Sequence, residues 1–257
     1  MVTANHWVCA AGLLVACGTN APRAGEPLDC SADAGLELLP IGVEGDASWW
    51  FAFSDDTRLN AHSDERRGPL SVGYENVPDE LTRCDASASV ERALHFVAAG
   101  NNDWGAGFSH WRSAIDETLP RLADGSGYRG LSFWALARGD KAFTLAFNDA
   151  NTSGTLALAD LDAGREPRCE PLPPLDSELP LPDPERQCDN AFEVRVLASA
   201  QWQFFRIPWS SLLQPRNGAI PHIEPQGIDR AAVFQMNLRF PKDSTNELWV
   251  MHLNWYR

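Results

Sequence analysis

From residue 36 onward the chain is cut into short runs, apolar or alternating between apolar and polar, each closed by turn-forming residues. They lie at 36–43, 49–53, 92–98, 106–111, 130–138, 142–148, 192–197, 202–207, 232–240 and 248–256. Period-two alternation over so few residues is the mark of a strand with one face in a core. No stretch carries the three-to-four spacing of a convincing amphipathic helix, so the chain is expected to be all-β, with about ten strands in one domain. The segment QWQFFRIPWSSLLQ (201–214) shows the logic in miniature. Pro208 forbids a helix interior, Trp202, Phe204 and Arg206 fall on one side of an extended chain, and Gln203, Phe205 and Ile207 fall on the other.

One interruption stands out. Between 152 and 189 the chain loses its alternation and becomes proline-rich, which predicts a surface loop. Cysteines 169 and 188 flank the richest part, and a bridge between them is expected to close it. Six cysteines are present. If Cys9 and Cys17 belong to a leader, Cys30, Cys84, Cys169 and Cys188 remain. An even remainder in an oxidising compartment favours two disulfides, Cys169–Cys188 and, with nothing local to tie them, Cys30–Cys84. A zinc site is the rival reading, but no CxxC and no histidine at ligand spacing accompanies the four.

The leader reading comes from residues 1–20, MVTANHWVCAAGLLVACGTN. The apolar run from Trp7 to Ala16 is too short for a bilayer and ends in small residues before a cysteine, the shape of a signal peptide. Leu14-Val15-Ala16-Cys17 resembles the bacterial lipobox, in which the cysteine becomes the lipid-modified first residue. An ordinary secretory signal is the alternative, since residues 1–6 hold no Lys or Arg. The expected organisation is therefore a signal over 1–17, a small, polar, proline-containing tether over 18–35, and a single domain over 36–257. That organisation makes the protein exported and attached to the bacterial cell envelope through Cys17 alone. The net charge of −14 excludes nucleic acid as a partner, because phosphate contacts need clustered Lys and Arg.

Six segments in order, YRGLSFWALARG (128–139), FTLAFNDANT (143–152), CDNAFEVRVL (188–197), WQFFRIPWSSLLQ (202–214), AVFQMNLRF (232–240) and ELWVMHLNWYR (247–257), resemble the galactose-binding-like jelly-roll domains related to family 11 carbohydrate-binding modules and to the complex I intermediate-associated domain. Trp104-Gly105-Ala106-Gly107, ahead of the Phe133-Trp134-Ala135 strand, is similar to an element of exported lipoproteins of soil and predatory bacteria such as myxobacteria. The resemblance implies a jelly-roll β-sandwich and a carbohydrate partner. It departs at the last strand, where an aspartate that helps hold structural calcium in related modules is replaced by Met251 or His252. Neither supplies the oxygen that a hard cation wants, so calcium there is in doubt, no cofactor is expected, and Glu44 and Asp46 are at most what remains of the other half.

If the strands at 232–240 and 247–257 are neighbours, alternation puts Phe234, Met236, Leu238, Trp249, Met251, Leu253 and Trp255 in the core. It puts Gln235, Asn237, Arg239, His252, Asn254 and Tyr256 in one polar stripe on a sheet face. Amides and a guanidinium suit vicinal hydroxyls, and Trp134 is a candidate stacking platform beside Arg138 and Asn148. The plain alternative is a merely solvated outer face, with Trp134 as packing. Searches for a GxSxG elbow, an HExxH pair, a phosphate-cradling loop or a catalytic cysteine find none, and no carboxylate pair is singled out. The sequence therefore favours a non-catalytic, envelope-anchored glycan-binding lipoprotein. A structural lipoprotein holding a protein partner stands second, and a glycoside-active enzyme third.

Overall fold

A computed structural model describes residues 15–16, 38–40, 50–54, 70–78, 81, 92–99, 105–111, 122–171, 173, 180, 186–214 and 227–257. In chain order the strands are β1 (Val15–Ala16), β2 (Leu38–Pro40), β3 (Trp50–Ser54), β4 (Leu70–Asn76), β5 (Arg92–Ala99), β6 (Ala106–Trp111), β7 (Gly130–Gly139), β8 (Ala142–Asp149), β9 (Phe192–Leu197), β10 (Gln203–Pro208), β11 (Val233–Phe240) and β12 (Thr245–Tyr256). Among the described residues one α-helix, α1 (Gly154–Asp162), lies between β8 and β9. All ten expected strands are present, with ends within three residues of those expected. Strand β4 was missed, although Leu70, Val72 and Tyr74 alternate with Ser71, Gly73 and Glu75 and pack on the core.

The strands form two sheets. The first has the order β1-β9-β8-β11-β6-β3 and the second β10-β7-β12-β5-β4, with β2 pairing β12. Every pairing is antiparallel except that of β1 with β9. From β6 onward the chain passes back and forth between them: β6 in the first, β7 in the second, β8 and β9 in the first, then β10, β11 and β12 alternately. This is a jelly-roll β-sandwich, the fold class expected.

The main core lies between the sheets. Phe96, Phe108, Phe133, Phe143, Phe147, Phe205, Leu131 and Leu145 are each almost wholly shielded from solvent within it. Their rings meet mostly edge-on or tilted, as in Trp50–Phe96 at 5.1 Å and Phe147–Trp209 at 5.4 Å between centroids, the arrangement that ring quadrupoles favour. A second apolar cluster occupies the opposite side of the second sheet: Trp134, Leu136, Trp202, Phe204, Trp249 and Met251, with Val77 and Leu81 packed among them. The indole N–H of Trp202 donates to the Leu81 carbonyl, which ties this outer layer to the sheet.

This layering corrects the face assignment of β12. In β12, Leu248, Val250, Leu253 and Trp255 enter the main core, whereas Trp249 and Met251 join the outer cluster. The register with β7 shifts between Met251 and Asn254, and His252 sits there at φ 50°. A bulge of this kind inserts a residue and reverses which face later side chains take.

The 152–189 segment is also more ordered than a plain loop. Ser153 caps α1, its hydroxyl accepting from the Leu156 N–H at 3.2 Å, the interaction that starts helices at Ser. A Cys169–Cys188 disulfide packs against Ala157 of that helix in a small separate cluster. The expected Cys30–Cys84 bridge, Cys17, and residues Glu44 and Asp46 lie outside the described residues.

Candidate ligand-binding face

Strands β11 and β12 are not neighbours. Strand β11 lies in the first sheet between β8 and β6, while β12 lies in the second between β7 and β5. The expected stripe is therefore split. Gln235, Asn237 and Arg239 share one outer face, and His252 and Asn254 sit on the other sheet with Tyr256. The four-residue connection 241–244 crosses from one sheet to the other, which a pattern of alternation cannot reveal. Trp134 also belongs to the second sheet, opposite Met251. Only 2% of it is exposed and its ring lies 5.2 Å from that of Phe204, so it is packing and offers no platform. His252 is exposed at the bulge, where its carbonyl accepts from the Asn254 amide at 2.6 Å. Arg138 lies on the second sheet as well, its guanidinium 4.0 Å from Glu247.

What the structure does assemble is a set of polar rows across the first sheet. Arg195 on β9 is opposite Thr144 on β8, Thr144 is opposite Arg239 on β11, and Arg239 is opposite Gly107 on β6. The next row on the same face runs Glu193, Ala146, Asn237, Ser109, and the third pairs Asn148 with Gln235. Rows on one face are about 6.8 Å apart along the strands and about 4.8 Å apart across them. Alternation sends the intervening Phe143, Leu145, Phe147, Met236 and Leu238 inward, so the core fixes the polar face from beneath.

The polar groups are wired together. The Asn148 amide donates to Gln235 Oε1 at 3.2 Å, and Gln235 Nε2 donates to Ser109 Oγ at 2.8 Å and to Asn237 Oδ1 at 3.1 Å. The Ser109 hydroxyl also donates to Asn237 Oδ1. Asn148 Oδ1 accepts from Thr152 at 3.5 Å. Arg239 pairs with Glu193 across β8. Such a network holds amide planes in one orientation. Among the described residues the Asn237 amide nitrogen has no acceptor, only its oxygen being bonded, and the Arg239 Nε is buried without one. Asn148, Asn237 and Ser109 are buried, while Gln235, Arg239 and Glu193 are partly open. The accessible donors are thus few and fixed. Sequence reasoning named Gln235, Asn237, Arg239 and Asn148 but missed Ser109, Thr144, Glu193 and Arg195; the polar positions of the Ala106–Trp111 and Phe192–Leu197 strands were the available signal.

Beside this face Asp149 ends β8. It is fully buried, and its carboxylate accepts from the backbone N–H groups of Asn151 at 2.9 Å, Thr152 at 3.0 Å and Asp229 at 2.7 Å, and from the Thr152 hydroxyl at 3.0 Å. Burial pushes its carboxyl above the ordinary range despite these four donors. The group ties the end of β8 to the turn before α1 and to the segment entering β11. Among the described residues no cluster of three or more His, Cys, Asp or Glu side chains could hold a metal ion, and Met251, at the position in doubt for calcium, is buried in the outer apolar cluster.

No family model matches the chain, and no curated protein matches it. Among solved structures it is similar to a family 11 carbohydrate-binding module from Clostridium thermocellum in complex with a beta-1,3-1,4-mixed-linked tetrasaccharide, at 10% identity over 86% of this chain and 94% of that one, with a TM-score of 0.47. The family 11 module of the cellulosomal cellulase Lic26A-Cel5E of the same organism gives 13% identity, the same coverage and a TM-score of 0.43. The family 30 module of its cellulase Cel9D-Cel44B gives 14% identity over 74% of this chain and 93% of that one, with a TM-score of 0.35.

Proposed function

We propose that the protein is a non-catalytic glycan-binding lipoprotein of the bacterial cell envelope, and that glycans lie across the outer face of the first sheet at Gln235, Asn237 and Arg239. The observation that carries this reading is the fixed amide relay Asn148–Gln235–Asn237 beside the partly open Arg239 guanidinium, which its pairing with Glu193 holds in place. A sugar hydroxyl accepts from one donor and donates to a nearby oxygen, and pre-oriented amides meet that need at little ordering cost. Among the described residues Glu193 is the one carboxylate that the strand register places on this face, and it is paired with Arg239. A glycosidase needs two carboxylates flanking the bond.

Retention of the full chain on affinity gels of immobilised polysaccharides tests the reading. A binding glycan is expected at micromolar to millimolar affinity. Arg239→Ala is expected to weaken it at least tenfold, since a hydrogen bond to a charged group is worth about 1.5–3 kcal/mol. No retention on any gel, or retention unchanged in both Arg239→Ala and Asn237→Ala, sinks it. The anchor is tested separately: mass spectrometry after expression in a lipoprotein-processing host is expected to find acylated Cys17 at the mature amino terminus. An exported chain with unmodified Cys17 refutes that part alone.

A second reading, an envelope protein that holds a protein partner, is favoured by one observation. Leu158 and Leu161 are about half exposed on adjacent turns of α1. It takes the lead if glycans fail.

A further inference from the structure

We propose that the glycans taken up by the outer face of the first sheet are acidic, and that a uronate carboxylate sits over Thr144, between the guanidiniums of Arg195 and Arg239. The inference rests on the reading of that face as a glycan site and names the class of sugar it selects.

The register sets the three residues side by side. Arg195, Thr144 and Arg239 are successive members of one row across β9, β8 and β11. Their sequence neighbours Val194, Val196, Phe143, Leu145, Leu238 and Phe240 all enter the main core, so the three side chains leave by the outer face. Two strand spacings put the arginine backbones about 10 Å apart. Thr144 between them is short and half-buried. Two guanidiniums on long stems close on one small anion across such a gap, and the threonine hydroxyl beneath supplies a further donor.

Charge on this face is out of balance. Among the described residues the outer positions of β9, β8, β11 and β6 hold two cations, Arg195 and Arg239, and one carboxylate, Glu193. Glu193 is committed to Arg239, whose Nη2 donates to it across β8. Arg195, two residues along β9 from Glu193, is exposed, and its guanidinium makes no hydrogen bond or ion pair among the described residues. The chain as a whole carries a net charge of −14, which opposes general attraction to polyanions. At physiological salt charges farther away than about 8 Å are screened, so the local surplus decides what binds here.

The remaining face selects a sugar acid over a bare anion. A guanidinium fork matches the two coplanar oxygens of a carboxylate. A hexuronate carries that group on one side of its ring and vicinal hydroxyls on the other. With the carboxylate in the arginine row, the hydroxyls fall toward the next row, about 6.8 Å along the strands. Asn237 stands there, its amide plane fixed by Gln235 and Ser109.

The test uses the full chain with Cys17→Ser, so that no lipid is attached, at physiological salt. Affinity gels of polygalacturonate and alginate are compared with gels of the same polymers after reduction of their carboxyl groups to alcohols, and with a neutral β-glucan. Retention on an acidic gel is expected to be at least tenfold stronger than on its reduced counterpart. Arg195→Ala is expected to weaken retention on the acidic gel about tenfold, with retention on the reduced gel and the melting temperature unchanged. Asn237→Ala is expected to weaken both. Equal retention on acidic and reduced gels, retention on the β-glucan alone, or Arg195→Ala matching the parent on the acidic gel overturns the acidic-sugar assignment and leaves the glycan reading standing. No retention on any gel removes both. Retention lost in Arg195→Ala but untouched in Asn237→Ala shows a site for a bare carboxylate, and also overturns the proposal.

Discussion

Replacing Asp149 by alanine removes one acceptor that serves four donors, and the loss can be worked from the structure. The backbone N–H groups of Asn151, Thr152 and Asp229 and the Thr152 hydroxyl all end on its carboxylate, which has no exposure to solvent. Each buried donor left without a partner costs about 1–3 kcal/mol. Four at that rate form an upper bound, because the alanine leaves room for water and the Asp229 segment is only partly buried. Removing one side of a buried, hydrogen-bonded charge costs about 3–5 kcal/mol, and that is the loss expected for Asp149→Ala at neutral pH. Urea unfolding followed by tryptophan fluorescence should show the midpoint fall with little change in slope. Asp149→Asn keeps one acceptor oxygen but turns an amide donor toward one of the four donors, so its loss should be smaller but clear. A loss below about 1 kcal/mol in Asp149→Ala would refute the argument and show that the turn before α1 holds itself together without the carboxylate.

The same residue gives a pH dependence. Burial raises its carboxyl in the folded state, so the folded chain holds the proton at pH values where the unfolded chain has released it. Its contribution is complete below the ordinary carboxylate pKa of about 4 and declines as pH rises through the folded value; the stability gap between the parent and Asp149→Asn should therefore narrow as pH rises, and a widening gap contradicts the sign. The Cys169–Cys188 bridge has a sequence separation of 19, for which chain entropy predicts about 3 kcal/mol, or roughly 6–12 °C of melting temperature, lost in the double serine variant. Unchanged melting would mean that the bridge does not constrain the unfolded chain. Trp202→Ala opens the outer cluster at a residue 1% exposed and should cost about 3–5 kcal/mol by denaturant unfolding; a loss near that of a surface site would show that the cluster is not a core. His95 stacks on Trp249 at 3.8 Å and meets Glu75 at 2.9 Å. His95→Ala should lose about 1–2 kcal/mol in the same assay, whereas Glu75→Gln, half exposed, should lose under about 1 kcal/mol; equal losses would place the effect in the ion pair.

Strand positions were legible in the sequence because burial on one face writes itself as alternation. Which strands pair was not, and the site suffered for it. Residues 233–240 and 245–256 follow each other closely yet lie in different sheets, and the bulge at His252 reverses the faces of β12 partway along. Both facts depend on tertiary contacts that no local pattern encodes. The helix α1 escaped for a different reason: only Gly154 and Ala157 of it are buried, so no apolar stripe forms, and Ser153 as a cap was its one sequence signal. Gln235, Asn237 and Arg239 were correctly placed together because they lie on one strand, where period two suffices. Their partners Ser109, Thr144 and Glu193 come from neighbouring strands and needed the register.

The outer layer built on Trp134, Trp202 and Trp249 makes the two sides of the sandwich unequal. One broad side is roofed with hydrocarbon, and the other is laid with amides, hydroxyls and paired charges. A molecule with such a front and back has much less freedom to turn over against a surface than a symmetric sandwich would. Substitutions on the roofed side register as loss of folding, whereas those at the open positions of the amide side leave the fold intact and, under the function proposed above, change binding alone. Random mutagenesis would therefore sort into two phenotypes by sheet, which maps the front of the molecule without any structure at all.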